Sequence, residues 1–111
     1  MAAASYGAIS SIRALPRIAD AVGDDLEVYL DGGVRSGLDV LKALALGARA
    51  CFIGRPWAYA LGAGGSAQLD RLLAMLRAEL ETALVLTGCP SARAAGRTLL
   101  DSAGPDDHFV C

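Results

Sequence analysis

Two short apolar segments that alternate with helical patterns constrain the fold of this chain most strongly. Residues 26–30 and 50–53 are rich in strand-forming residues and end beside glycine or aspartate, whereas the flanking segments repeat apolar residues every three or four positions. The predicted order is helix, strand, helix, strand, short helix and long helix. Strands that alternate with helices in this way form parallel βαβ units. The sequence therefore predicts an α/β fold with a parallel sheet.

The first predicted helix contains a proline. We expect it to run from Ser10 or Ser11 to about Val22, where glycine follows as a stop. Pro16 either lies in the first turn of a helix that begins near Arg13 or bends a longer one. The sequence leaves both alternatives open.

The other helices are marked by capping residues and glycine. Ser36, with Asp39 three residues later, predicts a helix start that resembles a capping box, and Lys42 is expected on its solvated face. Proline is favoured at a first helical position, which predicts a short helix that the glycine run after it ends. The predicted segments lie between Ser36 and Gly47, from Pro56 to about Leu61, from Ser66 to about Leu86, and in a short turn near residues 91–95.

The composition limits the classes of partner. The chain of 111 residues is 54% hydrophobic and 20% charged with a formal net charge of -2, which is typical of a globular protein with a substantial core. Only 5% of its residues are aromatic and its basic residues are scattered, so we expect no nucleic-acid partner. No apolar stretch reaches the roughly 18 residues of a membrane helix. The N-terminus also lacks the pattern of a signal peptide, and these features predict a cytoplasmic location.

The three cysteines do not indicate a disulfide framework or a metal site. Cys51, Cys89 and Cys111 are widely spaced and odd in number. Disulfide frameworks use paired cysteines, and zinc sites use closely spaced ones. We therefore predict three reduced thiols and no bound metal.

Glycine-containing turns follow both predicted strands, and each contains an arginine. These turns are Asp31–Arg35 and Gly54–Pro56. Parallel strands place such turns side by side, and glycine lets backbone N–H groups approach an anion. The helix that starts at Pro56 adds a positive dipole end, while Arg35 or Arg55 can donate two hydrogen bonds to phosphate oxygens. Either turn alone is ordinary, but the pair predicts a phosphate site of the kind that follows strands seven and eight in (β/α)8 barrels.

Residues 29–56, YLDGGVRSGLDVLKALALGARACFIGRP, resemble the C-terminal signature of the FMN-dependent 2-hydroxy-acid dehydrogenase and oxidase family. The resemblance continues in SIRALPRIADAVG, LDRLLAML and LTGCPSARAAGRTLL, and it covers about residues 9–100. It implies the C-terminal portion of a (β/α)8 TIM barrel, about strands seven and eight with their helices. A complete barrel needs about 250 residues, so the barrel is incomplete in this chain. We assign residues 1–100 to the barrel and residues 101–111 to a polar C-terminal tail.

The family's cofactor contacts carry over by position. The resemblance implies that FMN is held by Asp31, Gly32, Gly33, Val34, Arg35, Gly54 and Arg55. Asp31 is expected to hydrogen-bond the ribityl chain, and the glycine backbones and Arg55 are expected to hold the phosphate. Arg35 is also a candidate contact to the carboxylate of a substrate.

The family's catalytic groups have no counterpart in this sequence. Its proton-abstracting histidine, its substrate-binding arginine and a lysine near the flavin belong to segments upstream of the matched region. The single histidine, His108, lies in the predicted tail. We therefore predict no catalytic residue here and an inactive chain when it is alone.

Three functional interpretations remain open at this point. The first is a cofactor-binding segment of an enzyme that oxidises L-2-hydroxy acids, such as lactate, glycolate or mandelate, to 2-oxo acids, with substrate bound only if the rest of the barrel is supplied. The second is a non-catalytic truncated paralogue that packs as a homo-oligomer, since an open sheet edge needs covering. The third is a piece of another phosphate-binding barrel, such as inosine-monophosphate dehydrogenase or type 2 isopentenyl-diphosphate isomerase.

Overall fold

The computed structural model describes residues 9–100. Its elements are α1 Ser11–Val22, β1 Tyr29–Leu30, α2 Gly37–Ala45, β2 Ala50–Cys51 and α3 Arg55–Thr87, followed by 3-10 turns at Ala92–Ala94 and Arg97–Leu99. The predicted order of helices and strands is confirmed. The predicted tail at residues 101–111, with His108 and Cys111, lies outside the described residues.

β1 and β2 form a parallel pair, in which Tyr29 lies opposite Ala50 and Leu30 opposite Cys51. Backbone hydrogen bonds extend the pairing on both sides: the Arg49 N–H donates to the Val28 oxygen at 2.7 Å, and the Phe52 N–H donates to the Leu30 oxygen at 2.8 Å. Both strands are nevertheless shorter than the predicted segments 26–30 and 50–53. Within residues 9–100, each strand has one hydrogen-bonded neighbour. Residues that do not pair with that neighbour are not part of the sheet, so the strands are short.

One face of the sheet packs against the helices and forms the core. The residues in contact there are apolar, and the two alanines among the buried ones let the backbone approach closely. The buried members are Ile12, Leu15, Leu30, Val34, Ala43, Leu46 and Ala48, and Val28, Val40, Cys51, Ile53 and Leu100 pack around them. Side chains alternate along a strand, so the residues between these point to the opposite side.

That opposite side, called the open face below, carries an exposed aromatic pair. Tyr29 is 51% exposed and Phe52 is 58% exposed, and their rings meet edge to face with centroids 6.0 Å apart. The Tyr29 hydroxyl donates to the Glu27 carboxylate at 2.6 Å. That hydrogen bond, and then the negative charge of Glu27, raise the pKa of the phenol. The residues 9–100 leave this apolar face uncovered.

α1 is the longer of the two alternatives, because it begins at Ser11 and contains Pro16. Proline has no N–H to donate to the Ile12 carbonyl. A contact from the far end of the chain ties this helix down: the Arg97 guanidinium donates to the Asp20 carboxylate at 2.8 and 3.3 Å and to the Pro16 carbonyl oxygen at 3.2 Å. The C-terminal turn is therefore fixed to α1.

α2 is covered on several sides, which corrects the expectation for Lys42. It contacts α3, β2 and both 3-10 turns. Lys42 is consequently only 7% exposed rather than solvated. Gly37 lies where α2 meets α3, and an alanine Cβ there would overlap the Leu80 nitrogen and lie 2.5 Å from the Leu76 carbonyl oxygen. The close packing of α2 on α3 depends on this missing side chain.

α3 runs as one helix from Arg55 to Thr87, but Gly64 and Gly65 inside it have non-helical backbone angles. The prediction of two helical segments separated by glycine is confirmed, with the break at Gly64–Gly65. Among the described residues, no helix combines the length and the apolar character needed to cross a membrane.

The Gly37→Ala substitution is expected to destabilise the chain by about 1–3 kcal/mol, because the new methyl group would meet the backbone of α3. The matched control is Gly62→Ala in the exposed first part of α3, where an added Cβ meets no atom within 4 Å. Alanine favours helix there, so stability is expected to rise by up to about 1 kcal/mol. Urea unfolding followed by circular dichroism measures both. Equal midpoints for the two variants would contradict the proposed packing.

The Arg97→Ala substitution is expected to lower the free energy of unfolding by about 1 kcal/mol, since an exposed ion pair and one carbonyl hydrogen bond are lost. Arg77→Ala removes a more exposed ion pair, to Glu81 one helical turn away, and is expected to change stability by less than about 0.5 kcal/mol. Thermal unfolding of both variants checks this. A smaller effect at Arg97 than at Arg77 would show that the contact with α1 contributes nothing.

Candidate phosphate-binding site

The two predicted turns lie at one edge of the sheet. In the observed register Leu30 pairs with Cys51, so Asp31 and Phe52 are the next residues on the two strands. Neighbouring strands lie about 4.8 Å apart. The structure therefore brings the turn at residues 31–35 beside the turn at residues 52–55, both at the carboxyl ends of their strands.

Two glycines shape the first turn. Gly32 and Gly33 have φ values of 101° and 79°, a region that residues with a side chain rarely adopt. Val34, by contrast, is only 2% exposed and anchors the turn in the core. The predicted role of Val34 is thus limited to its backbone, since its side chain faces away from solvent.

The end of the first turn is fixed to the N-terminus of α2. The Asp39 N–H donates to the Ser36 hydroxyl at 3.1 Å, which confirms Ser36 as the helix cap. The Asp39 carboxylate accepts a hydrogen bond from the Arg35 N–H at 3.0 Å, one residue earlier than in the usual capping box. This reciprocal cap holds the Arg35 backbone, while the guanidinium remains exposed.

The second turn feeds directly into α3. Gly54 is the N-cap residue and supplies no side-chain acceptor, and Pro56 follows within the first helical turn. First-turn N–H groups of a helix lack partners within the helix, so those of Arg55 and Trp57 are available to an anion. An added Cβ at Gly54 would meet no atom within 4 Å, so the approach to this helix end is open.

The charges at this edge favour an anionic ligand. Arg35, Arg55 and Asp31 are all exposed. Throughout residues 9–100, neither guanidinium forms an ion pair, although other arginines do. Two unpaired guanidinium groups beside an open helix N-terminus can bind a phosphate, and the single carboxylate of Asp31 can accept hydrogen bonds from hydroxyl groups.

Cys51 lies on β2, immediately before the second turn. Burial, followed by the negative charge of Asp39, raises the pKa of its thiol. Cys51 and Cys89 are both free thiols, as predicted for these two cysteines. The described part of the chain also contains no cluster of metal-ligating side chains.

A cavity of about 330 Å³ lies elsewhere, at the end of α2 and the first 3-10 turn. Its lining consists of Leu44, Ala48, Arg49, Ala92, Arg93 and Ala95. None of these residues belongs to either turn.

The fold and the site define a parallel α/β unit in which two glycine-containing turns meet at the carboxyl edge of the sheet. Residues 4–102 match the model of the family described as FMN-dependent dehydrogenase. The chain belongs to this family, whose cofactor is FMN. The match decides against the interpretation as another kind of phosphate-binding barrel.

Curated relatives agree with the family. The chain is 54% identical over 94 residues to an L-lactate dehydrogenase of Caulobacter vibrioides, which covers 85% of the chain and 24% of the relative. It is 52% identical over 85 residues to an L-lactate dehydrogenase of Xanthomonas campestris, with 77% and 22% covered. The chain thus spans about a quarter of the length of the relatives that it matches.

Solved structures extend the similarity to three dimensions. A mandelate oxidase variant with the monooxide FMN adduct superposes with a TM-score of 0.78 at 48% identity, over 82% of this chain and 29% of that one. Mandelate oxidase with (S)-2-phenylpropionate gives the same TM-score and identity, over 27% of its chain. The fold of residues 9–100 is therefore that of part of an FMN-dependent oxidase.

One contact to the first turn was not predicted. The Ser11 hydroxyl, at the start of α1, donates to the Gly32 carbonyl oxygen at 3.3 Å. Helix and strand alternation places the start of α1 near the end of β1, so the neighbourhood could have been inferred. The sequence gives no indication that the Ser11 hydroxyl would point toward the Gly32 carbonyl.

Cys51 is expected to react more slowly with iodoacetamide in the folded chain than in urea, because its raised pKa lowers the fraction of reactive thiolate. The pH at which its alkylation rate is half-maximal is expected to lie higher in the folded chain than in urea. Mass spectrometry of the peptide that contains Cys51 measures both profiles. Coincident profiles would contradict the burial of this thiol.

Proposed function

We propose that residues 9–100 form the FMN-phosphate-binding C-terminal segment of a (β/α)8 barrel oxidoreductase, in which β1 and β2 are strands seven and eight. The observation that carries this proposal is the adjacent pair of turns at residues 31–35 and 52–55. Both turns combine glycine with an exposed arginine, and the second begins a helix. Barrels frequently bind phosphate with the loops after these two strands and a short extra helix.

The open face supports placement in a larger barrel. Tyr29 and Phe52 present aromatic rings to solvent on the side of the sheet that faces away from the helices. In a (β/α)8 barrel, that side faces the barrel interior and is filled by side chains from the other strands. The relatives are about four times as long as the matched region, which leaves enough chain for those strands.

The residues of the two turns fit FMN. The guanidinium of Arg55, the N–H groups at the start of α3 and the backbone of Gly32 and Gly33 would hold the phosphate. The carboxylate of Asp31 would accept hydrogen bonds from the ribityl hydroxyls, and Arg35 would lie toward the substrate carboxylate. The backbone of Val34 and Gly54 completes the contact set. The exposed charged side chains and the open space beside Gly54 support this assignment.

The relatives suggest the reaction. They are named L-lactate dehydrogenase and mandelate oxidase, and lactate and mandelate are both 2-hydroxy acids. We assign the complete enzyme to the oxidation of L-2-hydroxy acids to 2-oxo acids. Bound FMN supplies the redox chemistry by accepting two electrons from the substrate. The residues of this segment bind and orient, and proton abstraction is assigned to groups outside residues 9–100.

A second function, that of a non-catalytic packing module, is favoured by the same open face. An exposed aromatic pair and strands with one partner each can pair with a second copy of the chain. In that case, the chain would form homo-oligomers and the two turns would be inherited sequence. Comparison of FMN binding with riboflavin binding separates the two functions, because only the first requires a preference for the phosphorylated flavin.

The purified chain is expected to bind FMN more tightly than riboflavin, which lacks the phosphate. Arg55→Ala is expected to weaken FMN binding about tenfold to a hundredfold, since a charge-assisted hydrogen bond contributes about 1.5–3 kcal/mol. Riboflavin binding is expected to change little. Quenching of flavin fluorescence measures the four dissociation constants.

The control is Arg93→Ala, which removes another exposed arginine, beside the C-terminal end of α2, and is expected to leave both affinities unchanged. Equal binding of FMN and riboflavin by the folded wild-type chain would contradict the proposal and favour the packing module. Turnover of lactate, glycolate or mandelate by this chain alone would contradict the assignment of the catalytic groups to another segment.

A further inference from the structure

The peptide between Gly32 and Gly33 is held by a side chain from a different element. The Ser11 hydroxyl, in the first turn of α1, donates to the Gly32 carbonyl oxygen at 3.3 Å. The two elements approach closely, because an alanine Cβ at Gly32 would lie 3.2 Å from the same Ser11 oxygen. The contact joins residues 21 positions apart, so it is a tertiary contact rather than a local turn bond.

The orientation of this peptide decides which way an N–H group points. The peptide is trans, as are the other peptide bonds described. In a trans peptide the C=O and the N–H point in opposite directions, so a carbonyl held toward α1 directs the Gly33 N–H away from α1. Within residues 9–100, the Gly33 N–H donates to no acceptor. It is therefore an available donor on the side of the turn away from α1.

Two successive glycines would otherwise leave this orientation poorly defined. Gly32 and Gly33 both have positive φ, and glycine adopts positive and negative φ about equally readily. A peptide between two glycines can thus rotate at low steric cost. A hydrogen bond to its carbonyl from a rigid helix selects one orientation before any ligand arrives.

We infer that Ser11 is a positioning residue that orients the Gly32–Gly33 peptide, so that the Gly33 N–H faces the phosphate. This inference rests on the proposed FMN-binding function and adds to it a residue outside both turns. Ser11 acts through the backbone of the turn and is not itself a contact to the phosphate.

The test compares FMN with riboflavin in Ser11→Ala. The ratio of the riboflavin dissociation constant to the FMN dissociation constant is expected to fall about three- to tenfold, which is the effect of one hydrogen bond. Only the phosphate of FMN uses the Gly33 N–H. Ser11→Thr keeps the hydroxyl and is expected to restore the ratio. Ser10→Ala, at the neighbouring serine of the same helix end, is the control and is expected to leave the ratio unchanged.

A purely structural role for Ser11 would weaken both flavins equally, and that result would overturn the inference. A wild-type chain that does not prefer FMN would instead contradict the proposed function. In that case, the amide chemical shifts of the ligand-free chain, measured by nuclear magnetic resonance, test the positioning role without FMN.

The Gly33 amide shares its peptide group with the Gly32 carbonyl, so its chemical shift is expected to change in Ser11→Ala while that of the Asp39 amide stays the same. An unshifted Gly33 amide would overturn the positioning role.

Discussion

Parallel pairing of two neighbouring strands imposes a crossover, and α2 makes that crossover between β1 and β2. The chain must return from the end of one strand to the start of the next, which places the exit turns of both strands at the same edge. α2 is able to lie against the sheet because Ala43 and Ala48 are small. Its other side accepts α3 because Gly37 has no side chain. The site at the sheet edge thus depends on how closely α2 packs between its neighbours.

Much of this arrangement could be predicted because the signals are local. Capping by Ser36, the glycine stop after Val22 and the break near residues 62–65 all follow from backbone preferences of single residues. The alternation of strands and helices then predicts the parallel pair. The two turns of the candidate site follow from the same alternation, because each turn comes directly after a strand.

The features that could not be predicted depend on contacts between distant residues. Lys42 is buried because α3 and the C-terminal turns cover α2, and a helical pattern read alone does not include those neighbours. The strands are shorter than the apolar segments that predicted them, because a residue enters a strand only when a neighbouring strand pairs with it. An apolar sequence pattern does not show where such a neighbour begins and ends. The hydrogen bond from Ser11 to Gly32 likewise depends on the angle at which α1 meets the turn.

The contact between Arg97 and Asp20 closes a loop of 77 positions in sequence. Contacts of such separation form slowly, because the chain must lose the entropy of the whole loop before the contact contributes. We expect the local helices of this segment to form early and the joining of its two ends to come late in folding. A contact absent from the transition state acts mainly on the unfolding rate. We therefore expect this guanidinium to slow the opening of the folded segment more than it speeds its formation.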